Sequence, residues 1–128
     1  MKILDANIIL RFLLKDNEEL SKKAKSILQK AVKGEEEYFI PQCVIAEVVF
    51  VLQKTYDVPR DKISSKVYSL TCMKGLHIQD VEYIRTALSI YSSTNLSFID
   101  SLICAMAKEL KVEIASFDKD LLKKCRNQ

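Results

Sequence analysis

The 128-residue sequence contains one histidine, two glycines and two prolines, and its four cysteines stand far apart. A single imidazole excludes zinc sites with two His ligands and acid–base mechanisms that need two imidazoles. The spacing of Cys43, Cys72, Cys104 and Cys125 excludes a C-x2-4-C metal knuckle. No repeat, low-complexity tract or Pro/Gly/Ser-rich linker marks a boundary, so one domain over residues 1–128 is expected. No apolar run reaches the roughly 18 residues that span a bilayer, and Met1-Lys2-Ile3-Leu4-Asp5 meets an acid before any signal-peptide core. A cytoplasmic protein without a membrane partner is the expectation. In that compartment the cysteines read as small buried hydrophobes, and disulfides would require export.

What is present is an apolar fraction of 48% and a nearly balanced charge, 20 Lys and Arg against 17 Asp and Glu. A net +3 neither advertises nucleic-acid binding nor excludes it, so charge must be read by position. Short apolar runs alternate with helical periodicities. Strands are expected at Lys2 to Asp5, Tyr38 to Ile40, Leu76 to Ile78 and Val112 to Ser116. Helices are expected between them, with Ser97 and Asp80 as caps and Gly34 and Gly75 as stops. Strands separated by helices pair in parallel with helices on both faces, and in such sheets ligands bind beyond the carboxyl ends of the strands.

Most acids sit in charged company and need only a solvated surface. Two do not. Glu47 is the only charged residue between Tyr38 and Gln53, and Asp100 the only one between Thr86 and Ala107. Each is expected to be desolvated and therefore to need a cation, donors or a proton. Asp5 and Asp118 follow the first and last strands, at the same edge of the sheet. Four carboxylates converging there would repel one another unless compensated, and hard divalent cations such as Mg²⁺ or Mn²⁺ are the natural compensation. Taken singly, each has a plainer explanation: Asp5 and Asp118 as helix N-caps, Asp100 in a capping box with Ser97, Glu47 in an ion pair.

The chain resembles the PIN domain family, and within it the VapC-type toxins of toxin–antitoxin pairs. The likeness lies in Asp5-Ala6-Asn7-Ile8-Ile9-Leu10-Arg11, Ile45-Ala46-Glu47-Val48, Phe98-Ile99-Asp100-Ser101-Leu102-Ile103 and Ser116-Phe117-Asp118-Lys119-Asp120, in order and over nearly the whole length. The resemblance implies a three-layer α/β/α sandwich with a central, mainly parallel sheet of four or five strands. It implies an endoribonuclease whose Asp5, Glu47, Asp100 and Asp118 bind Mg²⁺ or Mn²⁺, with Asn7 and Ser116 as polar partners and Asp120 as an auxiliary acid. It also implies a homodimer and a cognate antitoxin. Ala6 and Ser116 stand where Thr is common in the family, which touches substrate positioning more than the carboxylates.

An RNA held against an acidic pocket needs nearby cations, and Arg11, Lys15, Lys54, Arg60, Lys62 and Lys119 are the candidates. His77, in the apolar run Leu76-His77-Ile78, reads as a core or rim residue. The competing expectation is a catalytically silent PIN-like module that docks RNA or protein. A phosphoacceptor role for Asp5 lacks the second acid of a D-x-D phosphatase, and Lys54-Thr55 lacks the glycines of a P-loop.

Overall fold

A computed structural model describes all residues from Met1 to Gln128. The element order is β1 (Lys2–Ile3), α1 (Ala6–Leu14), α2 (Glu18–Lys33), β2 (Tyr38–Ile40), α3 (Gln42–Lys54), α4 (Arg60–Leu70), β3 (Leu76–Ile78), α5 (Val81–Ser93), α6 (Phe98–Leu110) and α7 (Lys119–Arg126). The strands form a parallel sheet in the order β1-β2-β3. Lys2, Tyr38 and Leu76 share one register line, and Ile3, Phe39 and His77 the next. All three strands therefore deliver their carboxyl ends to one edge, where Asp5 and the amino end of α3 lie.

Local chemistry sets the helix boundaries. Asp5 caps α1, accepting the Ala6 N–H at 2.8 Å, and Asn17 caps α2 through the Leu20 N–H. Gly34 ends α2 with a left-handed φ of 75°, and Ser97 caps α6 by accepting the Asp100 N–H at 3.1 Å. Gly75 serves a different purpose. Its N–H donates to Ala31 O at 2.8 Å, and a Cβ there would overlap the Glu36 carbonyl oxygen, so the start of β3 lies hard against the end of α2.

A single cluster of 29 buried apolar residues draws on all seven helices. Ile40, Ile45, Leu52, Ile63, Leu70, Ile84, Leu88 and Tyr91 are at its centre. One charged side chain threads into this frame. The Arg60 guanidinium donates to the carbonyls of Tyr91, Thr94, Asn95 and Leu96 and lies 4.3 Å from the Tyr91 ring centroid. It thereby closes the end of α5 and fixes the turn into α6.

Two expectations change. The sheet has three strands, because Val112 to Ser116 forms no ladder. The start of that segment is fastened to α6, where the Val112 N–H returns to Ala107 O, and α7, which follows it, is bonded to α6 through Cys125 and Cys104. The cysteines also differ from expectation. Cys104 and Cys125 form a disulfide, and Cys43 and Cys72 are exposed thiols. His77 lies on the rim as expected, 3.1 Å from Glu37.

Candidate functional site

The cleft beyond the carboxyl end of β1 is lined by Asp5, Asn7 and Arg11 from the start of the chain, and by Glu47, Val51, Thr55 and Tyr56 from α3 and its end. Its volume is about 410 Å³. Asp5 reaches the cleft because β1 stops there. Glu47 reaches it because α3 buries Ile45, Val48, Val49 and Leu52 and turns its other side outward.

Glu47 is exposed and Asp100 only half-buried, where both were expected to be desolvated. Apolar neighbours in sequence are not neighbours in space on a helix. Phe50, three residues from Glu47, is itself 62% exposed. The carboxylates consequently need no buried counter-ion.

The remaining candidates fall elsewhere. Asp100 occupies the first turn of α6 and Asp118 the N-cap of α7, and neither lines the cleft of Asp5 and Glu47. The side chains form no group of three or more acids around one point. Asp118 Oδ1 accepts the N–H groups of Asp120 and Leu121, and its own N–H donates to Ser116 Oγ at 2.9 Å. Asp120 pairs with Lys124 at 2.9 Å. The capping interpretation of Asp5 and Asp118 is thus correct as far as it goes, but each cap engages Oδ1 alone. A carboxylate with one oxygen so occupied keeps the other for a ligand.

Among the cations, Arg11 enters the cleft as half of an ion pair. Its Nη1 lies 3.0 Å from both oxygens of Asp16, and the Tyr56 hydroxyl donates to Asp16 Oδ2 at 3.2 Å. The hydrogen bond from Arg11, aided by that from Tyr56, holds the Asp16 carboxyl below its ordinary pKa of 3.8. Lys54 and Lys119 are exposed and form no ion pair, Lys15 is the left-handed residue that ends α1, and Lys62 is exposed on α4. Arg60 is not an RNA contact of the expected kind, since four backbone carbonyls consume its donors. Asp16 and Tyr56 are not among the expected site residues, since no periodicity signals that Tyr56 folds back onto Asp16.

The cleft is built from oxygen donors. Two carboxylates and the Asn7 side chain line it, and no thiol or imidazole does. This set suits a hard divalent cation, which is commonly held by one or two carboxylates and completes its shell with water and substrate phosphate.

A parallel α/β sheet with carboxylates gathered beyond its carboxyl edge defines a class: acid-lined α/β domains that bind at the strand ends. The particular family is the PIN domain, whose family model matches residues 2–127, and the chain belongs to it. The chain is also similar to the VapC ribonuclease of Aquifex aeolicus (strain VF5), at 29% identity over 120 residues, covering 93% of this chain and 88% of that protein.

Proposed function

We propose that this protein is a single-domain, Mg²⁺- or Mn²⁺-dependent endoribonuclease, the toxin of a toxin–antitoxin pair. The observation that carries this reading is the cleft in which Asp5 and Glu47, from motifs far apart in sequence, meet beside Asn7 and Arg11. Membership of the PIN family and similarity to a VapC ribonuclease supply the reaction class. Similarity to a ribonuclease supports an RNA substrate, and the family resemblance a cognate antitoxin and a homodimer, whereas the Cys104–Cys125 disulfide counts against the expected cytoplasmic site of action. The free edge of β1 leaves room for the fourth strand of the expected sheet.

Asp5 and Glu47 would hold the cation, with Asn7 as polar support; Asp100, Asp118, Ser116 and Asp120, which lie outside the cleft, are assigned to the site on the family resemblance alone. When bound, such an ion lowers the pKa of water and offsets charge developing on the phosphoryl oxygens. The chain's own contribution is to hold the scissile phosphodiester. Arg11, kept in one orientation by Asp16 and Tyr56, presents positive charge at the cleft wall, and Lys15, Lys54 and Lys119 attract the RNA backbone. A backbone otherwise repelled by the carboxylates is thereby kept over them. No side chain has to act as nucleophile.

Asp5→Asn tests the reading cleanly. Asparagine caps helices as well as aspartate does, so α1 should stay intact while one carboxylate is lost. The expected result is a drop in Mg²⁺-dependent RNA cleavage of at least 100-fold with unchanged thermal unfolding. Undiminished cleavage by a folded Asp5→Asn protein would overturn the assignment. Failure of Mn²⁺ to bind the unaltered protein would favour the silent module.

A further inference from the structure

Helix α3 separates two clefts. On one side lies the acidic cleft with Asp5 and Glu47. On the other a groove of about 270 Å³ runs between α3 and the start of α6, lined by Phe50, Gln53, Lys54, Asn95, Ser97 and Ile99 among others. No carboxylate lines this groove. Of its two cations, Arg60 is committed to backbone carbonyls, which leaves the Lys54 ammonium, exposed and without an ion pair, as the charge offered to a ligand.

The apolar part of the groove is placed at its mouth. Phe50 is 62% exposed and Ile99 52% exposed, although the core behind them is closely filled. The groove sets a bare phenyl ring beside an unpaired ammonium and an amide side chain. It matches the mixed stacking and electrostatic surface that holds single-stranded nucleic acid. Its position is equally specific. Glu47, Phe50 and Lys54 follow one another at i, i+3 and i+7 along the exposed side of α3, and Ser97 to Ile99 on the far wall lead directly into Asp100.

We infer that this groove is a nucleobase subsite. An RNA strand that lays one phosphodiester in the acidic cleft crosses α3 and stacks an adjacent base on the Phe50 ring, with Lys54 against a flanking phosphate and the Asn95 amide beside the base edge. The inference rests on the ribonuclease reading. It adds a specificity-determining element to it, because a stacked base flanked by an amide and a hydroxyl is sensed by its shape and edge.

The protein has no tryptophan, so Phe50→Trp creates a sole tryptophan in the groove, excited at wavelengths where the five tyrosines do not absorb. It is placed in the Asp5→Asn background, which removes a carboxylate of the cleft without touching the groove, and titrated in Mg²⁺ with a short oligoribonucleotide, with the same oligomer carrying abasic residues, and with polyphosphate. The expected result is quenching by the intact oligomer and little by the other two. Phe50→Ala should weaken oligomer binding, followed by anisotropy of labelled RNA, roughly 10-fold at unchanged salt dependence, whereas Lys54→Ala should reduce the slope of log affinity on log salt by about one. The subsite is refuted if the RNA binds without quenching, if abasic and intact oligomers quench alike, or if Phe50→Ala binds with unaltered affinity. It is also refuted if the tryptophan signal follows protein concentration without RNA and sedimentation shows that Phe50→Ala dissociates a dimer, since a second copy then covers the ring. Cleavage by the unaltered protein, measured in parallel, separates the two readings: cleavage without quenching removes the subsite alone, whereas neither binding nor cleavage removes the ribonuclease reading with it.

Discussion

Arg11 reaches Asp16 with one guanidinium nitrogen 3.0 Å from each carboxylate oxygen, across the left-handed turn that ends α1. Both side chains are about a third exposed, so the pair contributes little to folding, and its consequence is the orientation of a cation at the wall of the acidic cleft. Asp16→Asn is expected to leave stability nearly unchanged while raising the KM for RNA. Parallel denaturation curves and cleavage kinetics check this. A large stability loss with unaltered KM would reverse the interpretation.

The same pair leaves a local signature at acid pH. Because the Asp16 carboxyl titrates below 3.8 in the folded protein, its contribution is present at and above that pH and is lost as pH falls through the lower folded value. An NMR titration of the Asp16 carboxyl should show a midpoint below 3.8 that returns toward it in Arg11→Ala.

At the alkaline end the responsible group is Tyr91. Burial raises its pKa above 10.0, opposed in part by the Arg60 charge, and its hydroxyl donates to Gln53 Oε1 at 2.6 Å. Protonated tyrosine is therefore favoured by the fold. Its contribution is complete below pH 10 and disappears as pH rises toward the folded value. Tyr91→Phe should flatten the fall in stability above pH 10 and cost about 1 kcal/mol at neutral pH, measured by urea unfolding across the range.

Arg60→Ala removes the donor to four carbonyls and leaves the turn into α6 without its support. A loss of roughly 2–4 kcal/mol is expected. Arg60→Lys should recover only part of it, because an ammonium cannot span the same fork of acceptors. Thermal melts of both variants measure the difference, and full recovery by lysine would show that charge alone matters.

The Cys104–Cys125 disulfide joins residues 21 apart and fastens α7, whose only fully buried side chain is Leu121. Reduction is expected to lower stability by about 3 kcal/mol, and Cys125→Ser to lower it equally while removing sensitivity to reductant. Unfolding with and without a thiol reductant decides the point.

Much of the fold was legible because the signals are local. Apolar periodicity gave all seven helices, and the caps at Asn17 and Ser97 follow from side chains that can reach only their own helix end. Val112 to Ser116 has the composition of the expected fourth strand but pairs with none of the three, because pairing depends on where the chain leaves α6 and not on composition. The same holds for Glu47. Its sequence neighbours suggest burial, yet only one side of α3 packs against the core.

The sequence by itself determined the alternation of strand and helix, the identity of the acids and the family motifs that contain them, since these depend on residue type and spacing. Tertiary structure alone decided which of those acids share a cleft, that Arg60 supports a turn while Arg11 faces the cleft, and that Phe50 stands bare between Glu47 and Lys54. Periodicity says that a helix has a buried side, but not where that side ends. The boundary is drawn by the helices packed against it.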